Sequence, residues 1–148
     1  MSTTILEVFD STLQKTASWL NEVMEETGAA TRQRAYAELR AVLHALRDRL
    51  LPEEAVKLGA QLPMLVRGFY YEGWHLADKP LRVRHRDEFL DRVREELPFA
   101  VSDEELEGMT RGVFRVLGRQ LSEGVIRHVR DELPEDIRRL WEVGEAAA

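Results

Sequence analysis

The chain says nearly the same thing twice. Shifted by 71 positions, residues 41–73 fall on residues 112–144 without a gap. Leu62-Pro63 lands on Leu133-Pro134, and Val42, Leu46 and Leu50 land on Val113, Leu117 and Leu121. Arg67 lands on Arg138 and Gly73 on Gly144. Elsewhere character holds where identity fails, as with Leu43 and Phe114, Val66 and Ile137, or Tyr70 and Trp141. A repeat of this length constrains architecture strongly, because each unit must bury its open face against a neighbour.

Apolar residues recur every three or four positions, which is helical spacing. Ile5, Phe9, Leu13, Thr16, Leu20 and Val23 predict one face of a first helix over 4–27, with a capping box of Thr4 and Glu7 and a stop at Gly28. Ala35, Leu39, Val42, Leu43, Leu46 and Leu50 form the stripe of a second helix. Pro52 and Pro63 sit where a helix can begin, since the first turn has N–H groups to spare. The pattern then returns. Phe89-Leu90-Asp91-Arg92-Val93 resembles Trp19-Leu20-Asn21-Glu22-Val23, Ser102 with Glu105 forms a capping box, and Ser122 and Pro134 open the last two helices. The expected fold is all-α: a helical bundle of two tandem four-helix repeats, about eight helices. Residues 1–74 make the first repeat with its N-terminal helix, 75–86 a connector and 87–144 the second repeat, in a single compact domain.

Composition narrows the function classes. The 148 residues contain no cysteine, which excludes disulfides, zinc–thiolate sites and thiol chemistry. The start of the chain lacks a basic region followed by an apolar run, and no apolar stretch approaches a membrane span, so a cytoplasmic protein without membrane association is expected. The formal charge of −6 argues against general binding to a phosphate backbone.

Several matched blocks carry a resemblance. Trp19 to Val23, Leu62-Pro63 followed by Phe69-Tyr70-Tyr71-Glu72-Gly73-Trp74, Phe89-Leu90, and Leu133-Pro134 through Trp141 resemble the bacterial family named domain of unknown function 2267. The resemblance covers about Trp19 to Trp141 and implies a small, soluble, all-helical tandem repeat. It brings no established activity, cofactor, substrate or catalytic residue.

Read residue by residue, no motif for catalysis is complete. Glu72-Gly73-Trp74-His75 holds one Glu-x-x-His, a spacing used in di-iron bundles. The matching place in the second copy holds Val143 and Ala146, so the partner motif is missing. His44 precedes Asp48 by one helical turn and His128 precedes Glu132. Both histidines lie off the apolar stripe and read as solvated helix pairs. There is no Gly-x-Ser-x-Gly elbow and no phosphate loop. No cofactor and no metal are expected.

The segment from Trp74 to Arg86 stands out. It gathers Trp74, His75, Lys79, Arg82, Arg84, His85 and Arg86, with Asp78, Asp87 and Glu88 partly offsetting the charge. Tyr71 and Trp74 have no aromatic counterpart in the second copy. The candidate partner-binding residues are therefore Tyr71, Trp74, His75, Arg82, Arg84 and Arg86. The competing reading is a plain connector with Leu81 and Val83 packed down. The expected function is a non-catalytic protein-interaction or structural module that binds a partner protein or itself. Two alternatives stand beside it: a small-ligand or metal-dependent enzyme using Glu72 to Arg86, and a nucleic-acid accessory protein, disfavoured by the acidic balance.

Overall fold

The computed structural model describes residues 6–141. Among them are eight α-helices and no strand: α1 (Glu7–Thr27), α2 (Arg32–Arg49), α3 (Pro52–Ala60), α4 (Met64–Tyr71), α5 (Arg86–Glu96), α6 (Asp103–Gln120), α7 (Glu123–Glu132) and α8 (Glu135–Arg138). The last runs into a 3-10 turn, Arg139–Trp141. The bounds of α2 and α6 differ by 71 at both ends, and α3 and α7 start with the same offset.

Local chemistry repeats with the elements. Thr31 and Ser102 cap α2 and α6, accepting hydrogen bonds from the N–H groups of Arg34 and Glu105. Glu105 reciprocates by accepting from the Ser102 N–H at 2.9 Å. Pro63 and Pro134 stand as N-caps of α4 and α8. Gly28 ends α1 at φ +80°, a left-handed conformation that glycine adopts without strain. The arginines that follow the prolines do the same work in both copies. Arg67 donates to the carbonyls of Gly59 (3.0 Å) and Leu62 (2.9 Å). Arg138 donates to those of Arg130 and Leu133, both at 2.9 Å. Each guanidinium thereby satisfies carbonyls that a helix end leaves unpaired. These correspondences fit the two-copy reading.

The packing is crossed. Helix α1 lies against α2 and also against α6; α5 lies against α6 and also against α2; α2 meets α6 and α3 meets α7. The buried apolar residues form one cluster drawn from every helix. Two ion contacts tie the crossing. Arg115 on α6 donates to the Glu26 carboxylate at the end of α1 (2.6 Å), and His44 on α2 meets Glu96 at the end of α5 (2.9 Å). Gly112 lets the end of α1 approach α6. A Cβ there would stand 3.0 Å from the Glu26 carbonyl oxygen and 2.8 Å from Thr27 Cγ2.

Two expectations need correction. Phe9 and Leu13 are exposed, not core. Helix α1 instead turns Thr12, Trp19 and Val23 inward, because Trp19 offers the larger apolar surface. Thr12 is accommodated by the Leu65 N–H at 3.4 Å. Ile5 and Thr4 lie outside the described residues, and Leu6 is the N-cap of α1, without a side-chain cap. Likewise His44 is buried and bonds to Glu96 and a carbonyl. Its expected partner Asp48 pairs with Arg47.

Leu46 and Leu117 are fully buried at matched positions. Truncation of either to alanine is expected to destabilise by about 2–5 kcal/mol. Urea unfolding of the two single variants checks it, and an unchanged midpoint would remove that leucine from the core.

Candidate functional site

The connector is fastened to the C-terminal half of α2. Residues Ala41 to Arg47 of α2 are buried without interruption, so its polar side chains there need internal partners. Arg47 is 3% exposed. It donates to the carbonyls of Tyr70 (2.5 Å) and Glu72 (2.6 Å) and pairs with Asp48 Oδ1 at 3.0 Å. His44 places Nε2 2.6 Å from the Phe69 carbonyl and Nδ1 2.9 Å from Glu96. Both partners are oxygen acceptors, and which ring nitrogen donates depends on the tautomer. Two side chains of α2 thus serve the carbonyl end of α4, which has no basic residue in its own last turn.

Farther along, Leu81 N–H donates to the Asp48 carbonyl at 2.8 Å, and Arg49 Nε donates to the Val83 carbonyl at 2.7 Å. Burial holds the Arg49 guanidinium below its usual range, with Glu132 opposing and Arg84 adding to that shift. Val83 is buried and Leu81 half-buried, as the connector reading expects. Segment 81–84 is irregular backbone, and Lys79-Pro80 is a cis peptide.

On this frame the six candidate residues separate into three groups. Tyr71 and Trp74 are half-buried against the core, their rings 5.5 Å apart. Gly59 admits the Tyr71 hydroxyl, which a Cβ there would strike. Arg86 is committed to the fold, with its guanidinium 3.4 Å from Glu107 and its N–H donating to Asp136 at 2.7 Å. His75, Arg82 and Arg84 are exposed, and neither arginine makes an ion pair with a described residue. Nearby, Glu88 accepts from the N–H groups of Arg84 and His85, both at 3.0 Å. Those two bonds hold its carboxyl below the usual range.

The structure does not gather a reactive centre around Glu72. That carboxylate is exposed and lies 3.6 Å from Arg40, and His75 faces solvent. Among the described residues no group of three or more His, Asp or Glu could hold a metal ion, and no helix is long and apolar enough to cross a membrane.

One buried acid escaped the sequence reading. Glu38 is 2% exposed in α2. Its Oε2 pairs with Arg34 at 3.2 Å, while Oε1 has no hydrogen-bond partner among the described residues. Arg34 lies over the Phe99 ring, 4.1 Å from its centroid. The signal was present, because the repeat offset sets Glu38 beneath Met109, a buried apolar residue.

The described residues form an all-helical bundle of eight α-helices. The family model described as Uncharacterized conserved protein (DUF2267) matches residues 16–140. The chain belongs to that family. A search of curated proteins finds no match.

Two outcomes are expected. Arg47→Met should destabilise by about 3–5 kcal/mol, the range for breaking a buried charge pair, and should speed amide exchange at Leu81. Exchange at Leu81 as slow as in the wild type would show that the connector is held without Arg47. Glu38→Met should raise stability by roughly 1 kcal/mol, since it removes an unpaired buried oxygen and leaves a partly exposed Arg34. Thermal unfolding measures it, and a lowered midpoint would make the Arg34 pair a net stabiliser.

Proposed function

We propose that the chain is a non-catalytic interaction module that presents connector 75–86 to an acidic protein partner. The observation behind this reading is the pairing of a fixed backbone with free charge. Arg49 and Asp48 hold the connector from below, while Arg82 and Arg84 are exposed and make no ion pair with a described carboxylate. Arginine presents planar, paired donors that suit carboxylates, and a backbone already held in place loses less entropy on binding. Trp74 and Tyr71 add a half-buried aromatic edge beside it. The division into repeats 1–74 and 87–144 about this connector belongs to the same reading, as does a reducing, cytoplasmic setting suited to a cysteine-free chain.

The test is the pair Arg82→Ser and Arg84→Ser, made together, with Arg86 left intact because it braces α5. Folding is checked by circular dichroism, and partners are captured from the native host with wild-type and variant protein. The variant should lose the acidic partners that the wild type retains. Capture of the same proteins at the same strength would show that the connector is only a tether.

A further inference from the structure

A second region of the molecule offers a cleft of different chemistry. A cleft of about 560 Å³ lies between the first half of α1 and the junction of α3 with α4. Lys15, Ser11 and Ser18 line one wall, Arg67 and Met64 the other, and Trp19 the floor. No carboxylate is among its described lining residues, in a chain whose net charge is −6.

Both cations are available. Lys15 is exposed and makes no ion pair or hydrogen bond with a described residue. Arg67 is anchored through Nε and Nη2 on the carbonyls of Gly59, Ala60 and Leu62. Those anchors are neutral, so its charge is fixed in place but not cancelled. The Ser11 and Ser18 hydroxyls are likewise uncommitted among the described residues. Two acids flank this face of α1 one turn beyond the serines: Glu22 is taken up by Arg119 at 3.2 Å and by Gln120, and Glu7 stands at the first residue of the helix, outside the cleft lining.

Shared packing explains the Arg67 anchor but not the rest. Arg138 has the same anchor in the second copy, yet its cleft is lined by Glu123 and Asp131 beside Arg127 and Arg130, so acids and cations are mixed there. Helix α5 begins only at Arg86, so the second copy has no helix where α1 carries Ser11 and Lys15. The place matching Ser18 is taken by Glu88. The first copy's cleft thus adds two hydroxyls and lacks the acids.

We propose that this cleft binds a phosphate monoester. The phosphoryl group brings a charge of about −1.5 to −2 and three acceptor oxygens. It suits a lysine ammonium, an arginine N–H and one neighbouring hydroxyl better than a single-charge carboxylate does; Ser11 and Ser18 stand about two turns apart and flank the phosphoryl position on either side of Lys15. The organic part of the ester would lie along Met64, Val8 and the edge of Trp19.

The experiment titrates ¹⁵N-labelled protein with phenyl phosphate at constant ionic strength. It follows the Ser11, Lys15 and Met64 amides and the Trp19 indole. Saturable shifts confined to these signals are expected. Lys15→Ser should weaken binding about tenfold or more, the loss of one charge-assisted hydrogen bond. Lys15→Arg should retain most of it. Both variants change an exposed side chain, and unchanged signals elsewhere confirm the fold. Three results would overturn the assignment: shifts that never saturate, equal affinity in wild type and Lys15→Ser, or benzoate binding as tightly as phenyl phosphate. Equal binding of inorganic phosphate would overturn the ester and leave only the free ion.

Discussion

A buried guanidinium governs how this molecule is put together. Arg47 lies within a run of seven buried residues in α2, a helix covered on all sides. An unpaired charge in such a place would be very costly, so the chain must bring acceptors to it. It does so by ending α4 against α2, where the Tyr70 and Glu72 carbonyls meet Nη1. The need is mutual, since the last carbonyls of α4 have no partners within their own helix. That one exchange fixes where α4 stops and therefore where the connector leaves the body. Asp48 and Arg49, the next two residues of α2, take hold of the connector farther on. Position 118, which matches Arg47 in the second copy, is a glycine. The same scaffold there has no guanidinium around which to organise a connector.

The crossing of the copies follows the same logic of mutual need. Glu26 and Glu96 end the first helix of each copy, and each finds its partner on the main helix of the other copy. In one crossing the partner is Arg115, in the other His44. Arg115 and Arg119 together pull the Glu26 carboxyl below its usual range, against the opposing effect of burial. The histidine crossing is tighter packed and shares Glu96 with Arg40 at 3.2 Å. One geometric position thus accepts two chemistries, provided that each supplies a donor.

How much of this was legible beforehand depends on which interactions are local. Helix ends were readable because caps use neighbours in sequence: Ser102 with Glu105, Gly28 with Met24, Pro63 and Pro134 at fixed offsets. The core stripes of α2 and α6 were readable for the same reason, since period alone places them. What escaped was set by distance. His44 looked solvated because periodicity on one helix cannot reveal that α5 and α4 close over it. Phe9 and Leu13 looked buried because the stripe of α1 contains two adjacent apolar faces, and only tertiary contact chooses between them. The six connector residues were found by composition. Their division into braced Arg86, packed Tyr71 and Trp74, and free Arg82 and Arg84 required partners up to 50 residues away.

The repeat also shows where to look for function in a chain without a motif. Positions alike in both copies, such as Arg67 and Arg138 or Leu62 and Leu133, are accounted for by the packing that both copies share. Positions that differ without need are the informative ones. Glu38 stands where Met109 would pack, and Ser18 where Glu88 caps. Each departs from what the scaffold requires, and a departure that brings unpaired charge must be stabilised elsewhere or used. In this molecule those departures lie on the first copy, while the second copy completes the shared core.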